Sequence, residues 1–529
     1  MQKIIFRGGD IVDGSGSPGF KADLLVTGDR ITSIGETYDE AAALVLDVSG
    51  LVVAPGFIDI HSHSDYYLII DPLGRSKVMQ GVTTEVGGNC GYAATPIKGD
   101  LLAERTKAYK EQFGITHDWS TLEEYFDRLS AGGISLNYAQ LVGVNSIRAS
   151  ILGYEDREPT AGELDEMLKM ISGALDAGAI GISFGLAYSP LSYAKRDELV
   201  AYAKLAAERG VPLSVHIRSE GDGLVEAVEE VLTIAKKTGV SLQISHLKAM
   251  WEKNWGKLDK VFSLIENAIA EGVKVSCDRY PYLAANTSLQ SILPGWVLAG
   301  GKEKTIDRLK DDGIRANISA ELMEGKGGDY WDKVMVSRLV SKDNRWMEGK
   351  TITEISNNLG KEPLESYYKI LIDEELQVDA IYVSMKEENL RRVLSKEYVM
   401  IASDAGTHSH NGPLGEGFPH PRGFGTFPMV LGKYVREEGL INLPTAIQKM
   451  TSWPADKFGL VERGRLEGGY YADIVVFDPR SISDRASYSA PKEYPAGIVY
   501  VLVNGDFAVK RGLHSGAKSG RILTKKRRS

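Results

Sequence analysis

Short apolar runs separated by Gly and Asp open the chain: "KIIFRGGDIVDG", "ADLLVTGDRITSIGE" and "LVLDVSGLVVAPG" read as β-strands joined by tight turns. The same texture returns near the other end in "YADIVVFDP" and "GIVYVLVNGDFAVKRG", where Asn504-Gly505 between alternating apolar residues is a strong two-residue hairpin signal. Between residues 51 and 455 the pattern changes to an apolar run followed by an amphipathic one, repeated. Eight strand candidates end near His61, Cys90, Gly143, Leu186, His216, His246, Asp278 and Asp404. Helical segments such as "ELDEMLKMISGALDAG", "RDELVAYAKLAAERG" and "KLDKVFSLIENAIAEG" lie between them, the last two with apolar residues at three- and four-residue spacing and a closing Gly.

Strand-helix alternation predicts a parallel sheet, and eight units predict a (β/α)8 barrel of about 31 residues per unit. The 27 residues from His63 to Cys90 and the 30 from His216 to His246 fit that period. The expected architecture is α/β: a barrel over 56–455, and a small β-sandwich built from both chain ends, 1–55 and 456–529. The interval from Asp278 to Asp404 is too long for one unit, so roughly 285–350 is expected to be an inserted subdomain near the barrel mouth. "DAIYVSM" at 379–385 is a further strand candidate, either of the barrel or beside it.

At 529 residues, 43% hydrophobic and 25% charged, the chain has the composition of an ordinary globular protein. A net charge of −9 gives no electrostatic footprint for nucleic acid. The basic cluster Lys525 to Arg528 is read as a solvated, frayed tail. No apolar stretch near Met1 suits a signal peptide, and no run is long enough to span a membrane, so a cytoplasmic location is expected. In such a reducing setting the two cysteines, Cys90 and Cys277, are better read as ligand, catalytic thiol or filler than as a disulfide.

The strand ends carry the chemistry. "FIDIHSHSD" places His61 and His63 two residues apart on an extended segment, so both imidazoles project to one side. His216 ends "PLSVHIRSEG", His246 ends "LQISHLKA" and Asp404 ends "YVMIASDAG". Four of only nine histidines therefore follow buried apolar runs at the face where such barrels do chemistry. Imidazole with carboxylate suits Zn2+ or a similar divalent ion. Asp404 alone also reads as a helix N-cap. Cys277, inside "VKVSCD", reads as a small core residue.

As a set, HxH on the first strand, single histidines on the fifth and sixth and Asp on the eighth resemble the amidohydrolase superfamily. Within it, "GGNCG", "HIRSEG", "SHLK", "DRYPY", "HPRGFGTFP", "EGKTITEI" and "GGYYADIVVFDP" resemble the N-acyl-D-amino-acid deacylases, or D-aminoacylases. Many superfamily members bridge two metals through a lysine of the fourth strand, but here that strand reads "AIGISFGLAYSP" and has none. The resemblance implies that Cys90 takes the bridging place. Cys90, His216 and His246 then form the tighter zinc site, with His61 and His63 at a weaker one.

It further implies that Asp404 is a metal ligand and the general base and acid, and that Lys248, Tyr280 and Arg422 hold the substrate's carboxylate. The implied reaction is hydrolysis of an N-acyl-D-amino acid, a small-molecule substrate, to a carboxylate and a free D-amino acid. A cyclic-amide hydrolase of the dihydroorotase or hydantoinase kind is the alternative enzyme, and a non-catalytic barrel scaffold the alternative class. The glycines around Cys90 are read as backbone passing close to a metal. Val144 stands where related enzymes often carry a histidine, and Asn286 where a serine is common. His408 and His410 lie in a Gly-rich loop read as mobile and solvated.

Overall fold

Eight parallel strands lie at the centre of the computed structural model, which describes residues 2–35, 43–324 and 326–525. In chain order they are Phe57–Asp59, Val82–Gly87, Asn137–Gly143, Gly181–Gly185, Leu213–His216, Leu242–Ile244, Val275–Arg279 and Val399–Ile401, each paired to the next. Ser62 bridges Ala405 in parallel, and the Asp404 amide donates to the His61 carbonyl at 2.9 Å, so the eighth strand closes back onto the first. Each strand ends within three residues of the position expected from the apolar runs. Nearly all strand residues are buried, because helices cover the outer face and side chains fill the interior.

Both chain ends build one nine-stranded sheet. Lys3–Ile11 pairs antiparallel with Phe20–Thr27, and Val52–Pro55 pairs with Ile474–Phe477, joining the two termini. Ile4, Phe6, Leu24, Val53, Ile474 and Leu502 form a core of its own. Ile498–Val503 and Asp506–Lys510 make the expected hairpin, with Asn504 and Gly505 both at positive φ, as a type I′ turn demands.

The insertion runs beyond 285–350. A single apolar cluster extends from Tyr280 to Met385 and surrounds a three-stranded antiparallel sheet, in which Asp379–Val383 is the central strand between Ala284–Ser288 and Val334–Arg338. The 379–385 candidate therefore belongs to the insertion and not to the barrel. Antiparallel partners separated by tens of residues leave no local signal, which is why the boundary was not legible in the apolar pattern. "EGKTITEI" has a local explanation: Thr351 and Glu354 form a capping box at the start of helix Ile352–Leu359.

The C-terminal segment is also better anchored than its composition suggests. The Tyr138 amide donates to the Arg521 carbonyl at 2.9 Å, and Leu523 donates back to Tyr138 at 2.7 Å, along the base of the third barrel strand. Lys525 Nζ donates to the carbonyls of Arg209 and Gly210 at 2.6 and 2.9 Å, so this residue is not a frayed end; Lys526 to Arg528 lie outside the described residues. Among the described residues, no helix is long and apolar enough to cross a membrane.

Candidate metal centre

The cysteine and histidines singled out from the strand ends converge at the carboxyl ends of the barrel strands. Cys90 Sγ lies 3.3 Å from His61 Nε2, 3.7 Å from His216 Nδ1 and 3.6 Å from His246 Nε2. His216 Nδ1 and His246 Nε2 are 2.8 Å apart. Asp404 Oδ1 stands 3.2 Å from His61 Nε2 and 3.1 Å from His63 Nε2. Two donor groups share the sulfur: Cys90 with His216 and His246, and Cys90 with His61, His63 and Asp404, the atoms of each group lying within 4.8 Å of one another. His63 is the outermost, its side chain 34% exposed toward the cavity while that of His61 is fully buried.

The donor set fits a divalent cation. Burial alone would raise the Cys90 thiol, but the charge of His61 and hydrogen bonds from His216, His246 and His61 bring it well below the ordinary range, which favours the thiolate. Burial lowers His63 and His246, yet His63 is raised to about 9 by Asp404 and Cys90, and His246 to about 9 chiefly by Glu220 and Asp404, against Lys248. The same field that draws protons onto these rings favours a cation between them.

Neighbouring groups orient the ligands. Asp278 Oδ1 faces His61 Nδ1 at 3.1 Å and accepts from the His246 amide at 2.8 Å, while Gln243 donates to its second oxygen at 2.9 Å. Glu220 lies 2.7 Å from His246 Nδ1. Each carboxylate turns the far nitrogen of a ring toward the sulfur, the arrangement that fixes the tautomer of metal-binding histidines. In the sequence Asp278 stands at a strand end, opening "DRYPY", and Glu220 inside "HIRSEG", and a polar residue at or past a strand end has many uses, so neither is marked as orienting a ligand.

Cys90, His246 and Asp404 all have positive φ, at 53°, 36° and 53°. Non-glycine residues in this region are held there by their surroundings and cluster at functional sites. The glycines beside Cys90 answer a crowding different from the one expected. A Cβ on Gly91 would meet Asn145 Oδ1 at 1.8 Å, and one on Gly185 would meet the Cys90 carbonyl at 2.1 Å. What the loop must approach is the Asn145 side chain, just past the third strand, and the backbone at the end of the fourth. No helix begins directly after Asp404, since the chain runs as a loop to Pro413, so the N-cap reading does not apply.

Beneath the site lies a buried ionic cluster with no sequence signature. Lys77 Nζ contacts Asp59 at 2.6 Å, Glu85 at 2.8 Å, Ser403 Oγ at 2.9 Å and the Ala405 carbonyl at 2.8 Å, with all three charged side chains fully buried. Glu85 also accepts from Ser62 at 2.8 Å and Ser64 at 3.0 Å. The cluster thus ties the His61–His63 segment to both neighbours of Asp404. Replacing Lys77 with methionine leaves two buried carboxylates unpaired and is expected to cost about 3–5 kcal/mol of stability. Urea unfolding checks this, and a loss below about 1 kcal/mol, the scale of an exposed pair, would show that the cluster is not a clamp.

Of the three residues expected at the carboxylate, Lys248 and Arg422 line the cavity, both engaged within the protein, and Tyr280 lies buried behind its wall. Lys248 Nζ lies 2.8 Å from His246 Nδ1 and also pairs closely with Glu220. Arg422 donates to Asp404 Oδ2 at 2.7 Å and to the Asn286 carbonyl at 3.3 Å. Tyr280 is buried with its hydroxyl unpartnered among the described residues, its ring 4.6 Å from the Arg422 guanidinium. Burial raises that phenol, but Lys248, Arg279 and Arg422 bring it below its usual value. Tyr188, which no motif marked, packs on His216 with ring centroids 4.5 Å apart.

His408 and His410 belong to neither donor group. His408 is partly buried and its amide donates to Ser76 Oγ at 2.8 Å, so this part of the loop is not solvated as expected. Cys277 is fully buried away from the cluster, its thiol pushed up by burial, as expected of a core residue.

Comparison with known proteins agrees with this geometry. Residues 44–249 and 394–509 match the model of the amidohydrolase family. A D-aminoacylase of Alcaligenes xylosoxydans xylosoxydans is 36% identical over 99% of this chain and 97% of its own length, and an N-acyl-D-glutamate deacylase of the same organism is 36% identical over 98% and 96%. The crystal structure of N-acyl-D-glutamate deacylase from Bordetella bronchiseptica, complexed with zinc and a phosphonate inhibitor that mimics the tetrahedral intermediate, superposes with a TM-score of 0.84 at 34% identity, covering 99% of both chains. The matched family segments hold His61, His63, Cys90, His216, His246 and Asp404 alike, and with deacylases aligned from end to end the chain belongs to the N-acyl-D-amino-acid deacylase family of the amidohydrolases.

Proposed function

We propose that this protein is a zinc-dependent hydrolase that cleaves the amide bond of N-acyl-D-amino acids, releasing a carboxylate and a free D-amino acid. The observation that carries the reading is the shared position of the Cys90 sulfur between two donor groups, in a barrel whose fourth strand, Gly181–Gly185, offers no lysine. Cys90, His216 and His246 would hold the tighter ion, and His61, His63 and Asp404, with the same sulfur, the weaker one. Zinc held by these residues would supply Lewis acidity, lowering the pKa of a bound water to about 7 and polarising the scissile carbonyl.

The chain's own groups do the rest. Asp404 is kept ionised well below the ordinary carboxylate range, burial being outweighed by Arg422 and His61, so it is ready to accept the proton of the attacking water. It then returns that proton to the departing amine nitrogen. The substrate's α-carboxylate is read by Lys248, Tyr280 and Arg422: the unpartnered Tyr280 hydroxyl donates, and Arg422 offers a planar fork. Sharing Arg422 between substrate and Asp404 weakens its hold on the base when substrate is bound, which raises the affinity of Asp404 for the proton it must carry.

The cyclic-amide alternative lacks support here, because its usual bridging lysine has no counterpart on the fourth strand. Paired N-acetyl-D and N-acetyl-L amino acids, assayed with zinc-loaded protein, test the reading. Turnover confined to the D series is expected, and turnover only of L substrates or only of cyclic amides would overturn it.

A further inference from the structure

The cavity above the metal ligands, roughly 1970 Å³, is walled on one side by the three-stranded sheet of the insertion. In its register Ser288 stands opposite Asp379, and Asp379 opposite Arg338 just past a register shift between Val336 and Arg338, so that the three form one row across the sheet. Directly opposed residues of antiparallel strands project to the same face, with Cβ atoms about 5 Å apart. All three residues line the cavity.

An Asp and an Arg so placed would ordinarily close into an ion pair, and here they do not. Arg338 Nη1 reaches the Tyr67 hydroxyl instead, at 3.4 Å, with the guanidinium 4.8 Å from the centre of the Phe113 ring. Among the described residues, the Asp379 carboxylate has no hydrogen bond or ion pair. Burial raises this carboxyl above its usual value, with Arg338 the one charge opposing the rise.

The row is within reach of the reaction centre. Tyr67 packs on the loop that follows Asp404, since a Cβ on Gly406 would lie 2.5 Å from its ring. Along the first strand of the sheet, Asn286, whose carbonyl accepts from Arg422, precedes Ser288 by two residues, roughly 7 Å. A group starting from an α-carboxylate at Arg422 therefore meets the row after about the length of one extended side chain.

We propose that Arg338 and Asp379 together recognise a primary carboxamide on the substrate's side chain, as in an N-acyl-D-glutamine, an inference that rests on the deacylase reading above. The amide oxygen accepts from the Arg338 guanidinium and the amide NH2 donates to Asp379. A side-chain carboxylate satisfies Arg338 but faces Asp379 as a like charge. An ammonium group satisfies Asp379 but is repelled by Arg338. An apolar side chain leaves both groups desolvated and unpaired. Only a group with both a donor and an acceptor serves the whole row.

The test measures kcat/KM of the full-length, zinc-loaded protein on N-acetyl-D-glutamine, -D-glutamate, -D-methionine and -D-lysine. Glutamine is expected to exceed each of the others by about tenfold or more. Asp379→Asn keeps the shape, removes the like charge and is expected to move the glutamine-to-glutamate ratio toward glutamate by about tenfold, with methionine changed by less than about threefold. Arg338→Met is expected to lower glutamine and glutamate together. A wild-type preference for methionine, glutamate or lysine, or an Asp379→Asn loss equal on all four substrates, would overturn the inference while leaving the deacylase reading intact. No turnover of any of the four would overturn the deacylase reading and the inference with it.

Discussion

Replacement of Cys90 by alanine is expected to remove the tightly held zinc and to lower kcat/KM by at least about 10³-fold, equivalent to about 4 kcal/mol of transition-state stabilisation. The reason is positional. The sulfur sits between His61, His216 and His246, at 3.3 to 3.7 Å from each, so it is the one atom common to both donor groups. Without it His216 and His246 remain as a two-ligand site, and His61, His63 and Asp404 lose their link to them. Serine in place of Cys90 is expected to fare little better, because its hydroxyl is not ionised as the thiolate is. Elemental analysis of purified variants, with deacylase assays at saturating zinc, checks both statements. Full zinc content and near-normal activity in the alanine variant would show that the sulfur is not the bridge. The site cavity left by removing one buried sulfur is small, and circular dichroism separates loss of metal from loss of fold.

Replacement of Asp404 by asparagine is expected to have a different signature: kcat falls about 10²–10⁴-fold, the range for losing a positioned general base and acid, while zinc remains on Cys90, His216 and His246. Asparagine preserves the shape but cannot accept the water's proton. It also strips Arg422 of its 2.7 Å carboxylate partner, leaving a buried guanidinium unpaired. The variant is therefore expected to unfold more easily, by about 3–5 kcal/mol, unless Arg422 finds a new acceptor. Measuring both kcat and the urea midpoint keeps the two effects apart. A variant with normal kcat and lowered stability would make Asp404 a purely structural partner of Arg422. The acid side of the pH profile is informative too: burial opposes ionisation of Asp404, but Arg422 and His61 more than offset it and hold its carboxyl well below the usual range. Protonation of this group is therefore expected to lie below the acid limb of kcat/KM, and replacing Arg422 by methionine is expected to move it upward in pH toward that limb by releasing Asp404.

Much of this protein was already legible in its amino-acid order. Barrel strands are buried on both faces, so their apolar runs stand out along the chain, and a His, Cys or Asp within a few residues of a run's end marks where the strand surfaces. His216, as the last residue of its strand, and His61, His246 and Asp404, two or three residues beyond theirs, could be read that way. Cys90 could be read because thiols are so rare in the chain and because the fourth strand contains no lysine.

The tertiary structure decided what depends on pairing at long range. Lys77 joins Asp59, Glu85 and Ser403 from segments up to 326 positions away, and a single lysine in a short helix carries no local sign of such partners. The three strands of the insertion meet across gaps of tens of residues, so their register, and with it the Ser288–Asp379–Arg338 row, exists only once the chain has folded. The engagement of Lys248 by Glu220 and of Arg422 by Asp404 is likewise a matter of geometry. Local order along a chain sets the period of burial and the residues that interrupt it, because each responds to nearest neighbours. Which charge meets which is set by the closing of the barrel, because only closure brings the first, second and eighth strands into contact.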